Sequence, residues 1–167
     1  MIELAKLETS EIIEEPKTVD ISELLHEIYD EALTLDREEH KIELSAEPIK
    51  INGNHDELRM AFMNLITNAI RYTPEGGLIK LFSSSDENGV CVGVKDEGIG
   101  ITYEHIPRLT ERFYRIDAGR SREKGGTGLG LAIVKHVLDR HGASLCISSE
   151  TGKGSLFRCY FPNIQQD

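Results

Sequence analysis

The sequence predicts an α+β fold, a two-layer α/β sandwich in which helices cover one face of a mixed, mostly antiparallel sheet. Three observations lead there. Apolar residues recur at helical spacing in segments 24–33, 58–70 and 131–138. Short alternating segments at 78–83 and 90–94, and again at 145–148 and 156–161, flank Asn88-Gly89 and Thr151-Gly152-Lys153-Gly154, which reads as two β-hairpins. Strands cluster with helices between them in a chain of 167 residues, enough for one well-cored domain, so one sheet faced by a helical layer is expected.

In chain order, residues 1–8 place Ile2, Leu4, Ala5 and Leu7 in an apolar pattern too short to stand alone, and read as the end of a longer helix. The Glu-rich stretch 11–17, with Pro16, reads as a linker. Asp20 can cap a helix that buries Leu24, Leu25, Ile28, Ala32 and Leu33 and ends near Asp36. Residues 42–45 and 49–51 are short strands, after which Asn52-Gly53-Asn54 turns the chain into the next helix. That helix buries Leu58, Ala61, Phe62, Leu65, Ile66, Ala69 and Ile70. A break at Pro74-Glu75-Gly76-Gly77 leads to the first hairpin, and a helix over 129–140 stops at Gly142 before the second. The expected division is a helical end and linker over 1–17, one domain over 18–163 and a tail over 164–167.

A net charge of -10 without a basic tract argues against nucleic acid or an anionic membrane as the main partner. No apolar run approaches the roughly 20 residues that span a bilayer, so a soluble, cytoplasmic domain is expected. Cys91, Cys146 and Cys159 are odd in number and lack metal-type spacing, which reads as buried reduced thiols.

The helix over residues 58–72 carries the first chemical signal. Asn64, Asn68 and Arg71 lie at positions 0, 4 and 7, a polar stripe beside the apolar face, with Tyr72 next. Asparagine lowers helix propensity, so two inside an apolar helix suggest that their amide oxygens are used, and neutral oxygens suit a hard cation already carried by an anionic ligand. Asp96-Glu-Gly98-Ile-Gly100 follows a strand at once: a carboxylate there can accept from an exocyclic amine while the glycines permit close backbone approach. Gly126-Thr127-Gly128-Leu129-Gly130 immediately precedes a helix, so free amides and the positive helix end can face an anion. Its spacing matches neither the phosphate loop nor the dinucleotide fingerprint. Between the two glycine motifs, Arg115, Arg120, Arg122 and Lys124 form a basic segment poor in large apolar residues, which reads as a mobile lid over a polyphosphate.

In this order, the paired asparagines, Asp-x-Gly-x-Gly, Arg112-Phe113-Tyr114-Arg115 and Gly-x-Gly-Leu-Gly-Leu resemble the N box, first glycine box, F box and second glycine box of sensor histidine kinases. The resemblance covers about residues 20–162 and implies the Bergerat ATP-binding fold shared with gyrase and the Hsp90 chaperones. Residues 107–117 and 125–136 look most like the phosphate-responsive PhoR sensors. Carried over by position, it implies ATP and Mg2+ as cofactors, with Asn68 as magnesium ligand assisted by Asn64, and Arg71 near the phosphates where relatives have lysine. Tyr72 would pack on adenine or ribose, Asp96 would bind the adenine amine, and Gly98, Gly100 and Ile101 would shape that pocket. Arg115 would reach the terminal phosphate, and Lys124, Gly126, Thr127, Gly128, Leu129, Gly130 and Leu131 would let the lid and helix start approach it. Thr110 stands where many relatives have the first phenylalanine of the F box.

ATPases of this fold resemble the same site but carry a water-activating glutamate at the position of Asn64. An amide is no general base at neutral pH, and Glu57 lies two turns away, roughly 10 Å along the axis, so transfer to an acceptor is favoured over hydrolysis. The resemblance places that acceptor in a His-acid motif followed by proline; His26-Glu27 lacks the proline, and His26, His40, His55, His105, His136 and His141 all read as surface or helix-end residues. The implied acceptor is a histidine on a separate dimerisation domain, whose second helix residues 1–8 would end, and a response regulator receiver domain would be the next partner. The parent protein would be a membrane-anchored homodimer, and this chain would bind Mg-ATP without phosphorylating itself. Competing readings are a nucleotide-binding interaction module, an ATPase or chaperone relative, and an anti-sigma serine kinase.

Overall fold

The computed structural model describes residues 16–114 and 130–163. The first helix, α1 (Ile21–Asp36), begins where Asp20 accepts a hydrogen bond from the Glu23 backbone N–H at 3.0 Å. It buries Ile21, Leu24, Leu25, Ile28 and Ala32, but Leu33 points outward at 41% exposure, because the apolar stripe follows the 3.6-residue period and Leu33 falls off its edge. Asn54 caps α2 (His55–Tyr72) through Glu57 N–H at 3.0 Å, and this helix buries Leu58, Ala61, Phe62, Leu65, Ile66 and Ala69, with Ile70 half-buried against the same core. Helix α3 (Gly130–Arg140) contributes Ala132, Ile133, Val134, Val137 and Leu138.

The main sheet takes five strands, β2 (Lys41–Ser45), β4 (Leu78–Asp86), β5 (Gly89–Asp96), β6 (Ser144–Glu150) and β7 (Gly154–Pro162), in the order β2-β4-β5-β7-β6. Only β2 and β4 run parallel; the other neighbours are antiparallel. Alternation aims Ile79, Leu81, Val90, Val92, Val94, Phe157, Cys159 and Phe161 at the helices, while Lys80 and Lys95 stay exposed on the opposite face. Phe62 of α2 meets Phe161 of β7 edge-on, with ring centroids 6.3 Å apart, at the centre of the interface between the layers.

The expectation of a single sheet is corrected in one respect. A second, two-stranded sheet pairs β1 (Lys17–Asp20) with β3 (Lys50–Gly53), antiparallel, with Val19 opposite Ile51. Lys17 is therefore part of a strand and not of a linker, and Asn52 and Gly53 continue β3 instead of turning; only Asn54 leaves the strand, to cap α2. Four residues carry too little alternation to be seen beside a Glu-rich run. In the first hairpin the connecting residues are Glu87 and Asn88, held by the Asp86 carboxylate, which accepts from Asn88 N–H at 2.7 Å and Gly89 N–H at 3.1 Å.

Two ends of the helical layer are fastened by polar side chains. Glu57, in the first turn of α2, takes the Arg140 guanidinium at the end of α3 through both oxygens, at 2.6 and 3.1 Å, with both side chains close to buried. His141 accepts the Asn54 N–H at Nε2 (3.0 Å), and its Nδ1 lies 2.8 Å from the Val137 carbonyl, so it is the neutral tautomer with hydrogen on Nδ1. His40 also departs from the surface reading: its side chain is 4% exposed and lies between Asp36 and the Thr73 carbonyl. His26 is exposed, as expected. Of the thiols, Cys159 is buried, which raises its pKa, Cys91 is half-buried with its pKa raised by the same cause, and Cys146 is exposed, against the expectation that all three are buried.

Phe62→Ala should lower the unfolding free energy by about 3–5 kcal/mol, read as a smaller urea midpoint at unchanged slope. A loss under about 1 kcal/mol would mean that the two layers do not meet at this ring.

Candidate functional site

The polar groups singled out in the sequence gather where β5 ends, α2 ends and α3 begins. Asp96 is the last residue of β5 and is 6% exposed. Its Oδ1 accepts two backbone N–H groups, from Gly98 at 2.8 Å and from Ser155 at 3.2 Å, while Oδ2 takes no hydrogen bond from the described residues. Burial pushes the carboxyl pKa up, and the bonds from Gly98 and Ser155 pull it partly back. Its folded value therefore lies above the ordinary 3.8, so the stability that protonated Asp96 contributes is present below that value and lost as pH rises through the folded one. The charged form of Asp96 is thus a liability for folding.

The loop after Asp96 leans on α2. The Ile99 N–H donates to the Tyr72 carbonyl at 3.3 Å, and a Cβ on Gly98 would sit 2.7 Å from that same oxygen, so only glycine lets the backbone pass this close. Further on, Gly100 sits at φ +76° and the Ile101 N–H donates to Ser149 Oγ at 2.7 Å. Ser149 in turn contacts Ser155 Oγ at 2.8 Å and donates to the Gly154 carbonyl at 2.9 Å. Ser149 and Ser155 were not singled out in the sequence. Their role comes from strand pairing, which sets Ser155 opposite Asp96 and Ser149 opposite Ser155, a register no local motif announces.

On α2, Asn64 and Asn68 are half-buried, as are Arg71 and Tyr72 in the last turn. Asn64 Nδ2 donates to the Met60 carbonyl at 2.8 Å, which leaves Oδ1 as the outward group. That oxygen faces the first residue of α3: a Cβ on Gly130 would lie 3.1 Å from it. Asn68 makes no hydrogen bond among the described residues. Leu131 is half-buried against the core beneath. The structure thus joins Asn64 to Gly130, and Asp96 and Gly98 to Tyr72. Arg115, Lys124, Gly126, Thr127, Gly128 and Leu129, the expected lid, and the segments 1–15 and 164–167 lie outside the described residues.

Among the described residues no group of three or more His, Cys, Asp or Glu side chains could hold a metal ion. A divalent ion beside α2 would instead meet carboxamide oxygens, and the free Asn68 amide and outward Asn64 Oδ1 fit a hard cation that brings its own anionic ligand. Beyond Ile101, a short 3₁₀ turn (Ile106–Arg108) sets the Arg108 guanidinium 4.5 Å over the Tyr114 ring, and the Tyr114 hydroxyl bonds His105 Nδ1, so His105 too is not simply solvated. Phe113 is 60% exposed in a left-handed conformation, φ 62°, and Thr110 is half-buried.

Residues 53–165 match the family described as histidine kinase-, DNA gyrase B- and HSP90-like ATPase. The chain belongs to this family. The match takes in both asparagines, Asp96 and the two glycine motifs. Within the family, the phosphate regulon sensor protein PhoR of Pseudomonas aeruginosa is 49% identical over 164 residues, which are 97% of this chain and 37% of that protein. PhoR of Haemophilus influenzae is 41% identical over 160 residues, 95% of this chain and again 37% of that protein. The chain therefore spans little more than a third of the curated relatives it matches. Among solved structures, the mycobacterial sensor histidine kinase MprB superposes with a TM-score of 0.78 at 25% identity, covering 88% of this chain and 97% of that one. Full-length ShkA, solved with AMPPNP, gives a TM-score of 0.82 at 27% identity over 97% of this chain and 35% of that one. The chain is thus a homologue of the ATP-binding catalytic part of sensor histidine kinases, on the α/β sandwich expected from its sequence.

Asp96→Asn keeps an oxygen for the Gly98 and Ser155 amides and removes the buried charge, so its thermal midpoint should equal or exceed the parent's while adenine-nucleotide binding falls below detection by calorimetry. A variant that unfolds, or that binds ATP as the parent does, would contradict this account of the carboxylate.

Proposed function

We propose that this chain binds Mg-ATP and transfers its terminal phosphoryl group to a histidine on a separate dimerisation domain, for relay to a response regulator aspartate. The observation that carries the reading is the convergence of Asp96, Tyr72 and Gly98 at one end of α2 and of Asn64 with Gly130 at the start of α3, one site for a base and one for phosphates about two turns apart on the same helix. In this reading the free Oδ2 of Asp96 accepts the exocyclic amine of adenine, Gly98, Gly100 and Ile101 line the base pocket, and Tyr72 packs on the base or ribose. Asn68, with Asn64, supplies neutral oxygens to Mg2+, which, when bound, neutralises phosphate charge and orients the leaving group.

Arg71, in the last turn of α2, lies beside the phosphates. Its guanidinium fork replaces a lysine point charge there, which favours bidentate contact. By the family resemblance Arg115, Lys124, Gly126, Thr127, Gly128 and Leu129, which lie outside the described residues, would serve the triphosphate together with Gly130 and Leu131 at the start of α3. Among the described residues of α2 neither candidate serves to take a proton from water: Asn64 is an amide, and Glu57, the acid nearest to it in its own helix, is taken up by Arg140. Positioning and charge neutralisation remain, and these are what phosphoryl transfer to a nucleophile brought by another domain requires.

The relatives' names, sensor histidine kinase and phosphate regulon sensor, support a phosphate-linked two-component system; a membrane-anchored homodimer as the whole protein rests on the family resemblance alone. Among the described residues no helix is long and apolar enough to cross a membrane.

Incubated with γ-labelled ATP, the chain alone should gain no acid-labile label, whereas a histidine-bearing helical hairpin added in trans should be phosphorylated. Asn68→Ala should weaken Mg-ATP by on the order of tenfold, about 1.4 kcal/mol, without lowering the melting temperature. Self-labelling of the chain, or unchanged affinity in the variant, would count against this assignment.

A further inference from the structure

The buried His40 pair is used by nothing in the phosphoryl-transfer site, yet it touches the helix that carries most of that site. After α1 the chain reverses through Arg37 and Glu38, both in the left-handed region at φ 52° and 63°, a conformation that residues with a Cβ adopt reluctantly. The reversal brings His40 back onto Asp36. The His40 backbone N–H donates to Asp36 Oδ2 at 2.8 Å, its Nδ1 bonds Oδ1 of the same carboxylate, and its Nε2 lies 2.6 Å from the Thr73 carbonyl. An ionised carboxylate and a carbonyl can only accept, so both ring nitrogens donate and the ring is an imidazolium. The two side chains are 4% and 1% exposed.

Thr73 is the residue that closes α2: its N–H reaches back to the Ala69 carbonyl at 3.0 Å, and its hydroxyl is buried without a hydrogen-bond partner among the described residues. Backbone bonds therefore hold Thr73 in place, and its carbonyl goes to His40. The preceding carbonyl, of Tyr72, goes to Ile99 N–H of the Asp96 loop. Two consecutive carbonyls thus anchor the exit of α2, one to the Asp96 loop and one to the histidine, and a buried cation at the negative end of the helix complements its dipole.

We propose that His40 is a positioning residue for nucleotide binding: its ring, donating from both nitrogens, ties the end of α1 to the Thr73 carbonyl and so fixes the last turn of α2, with Arg71 and Tyr72, against the Asp96 loop. The inference rests on the functional reading above. It carries a pH dependence with a definite sign. Burial works to lower the His40 pKa, but the hydrogen bonds to Asp36 and Thr73 and the charges of Asp36 and Glu39 outweigh it and lift it above the usual 6.5. Asp36 from α1 and Glu39 from its own loop are the charges acting on the ring; the 73–77 segment offers it the Thr73 carbonyl, and Lys41 at the start of β2 pairs outward with Glu43. The clamp is complete below pH 6.5 and is lost as pH rises through the higher, folded-state value.

The test is calorimetric binding of Mg-ADP to the whole chain from about pH 6 to about pH 9, with an NMR titration of the His40 ring, on the parent, His40→Gln, His40→Ala and Asp96→Asn. Parent affinity should fall roughly fivefold with a midpoint at the His40 pKa measured by NMR. His40→Gln, whose amide still donates to Thr73 but does not titrate, should hold the low-pH affinity across the range; His40→Ala should be weakened roughly fivefold at every pH while remaining folded. Equal affinity of parent and His40→Ala, whatever their melting temperatures, would make the histidine purely structural and overturn the proposal. If the alanine variant does not fold, a pH dependence in His40→Gln identical to the parent's overturns it equally. A parent that binds no nucleotide at any pH sinks the functional reading and this inference together, whereas binding that Asp96→Asn abolishes and His40→Ala leaves intact removes the inference alone.

Discussion

One buried oxygen, Oδ1 of Asp96, organises the site. By accepting both the Gly98 and the Ser155 amides it locks the end of β5 to the start of β7 and to the loop that leans on Tyr72. Two backbone donors lower the cost of burying the carboxylate, and its second oxygen takes no hydrogen bond from the described residues, which is where the proposed function puts the adenine amine. Keeping that carboxyl in its charged form at a buried position costs folding stability. Stability lost there is offset by the apolar interface between α1, α2, α3 and the five-stranded sheet.

Helix α2 is the mechanical link between the two halves of the site. Its N-terminal turn is fixed by the Glu57–Arg140 pair and by His141 on Asn54, both reaching from the end of α3. Its middle turn sets Asn64 against Gly130, and its exit is held by the Tyr72 and Thr73 carbonyls. A helix fastened at three levels holds the Asp96 end and the Gly130 end in register, which is the contribution the proposed chemistry, needing mainly positioning, would ask of a scaffold. The same fastening engages both oxygens of Glu57, and the proposed preference for transfer over hydrolysis rests on that pair together with the amide at Asn64.

The helices and both hairpins were legible because amphipathic periodicity and turn residues are local signals. Asp20 and Asn54 cap where their side-chain chemistry says they should. Strand β1 was not legible, since four residues give no period and its partner β3 lies more than thirty positions later in the chain. For the same reason Ser149 and Ser155, which extend the hydrogen bonds around Asp96, became visible only through the β6–β7 register. His40 and His141 were read as solvated because nothing in their neighbours discloses a partner across the fold; His40 meets Thr73, 33 positions away, and His141 meets Asn54, 87 positions away. Asp96, Asn64, Gly98 and Gly130 stand out in the sequence by local spacing, and the structure brings Asn64 to Gly130 and Gly98 to Tyr72.

The central claim is that a purine amine is read by a buried carboxylate acceptor. Calorimetry with Mg-ATP and with Mg-ITP, which replaces the 6-amino donor with a carbonyl, tests it most directly. The account predicts binding of ATP and at least about tenfold weaker binding of ITP, since an oxygen would then face the open Oδ2 of Asp96. Equal affinities for the two nucleotides would contradict it.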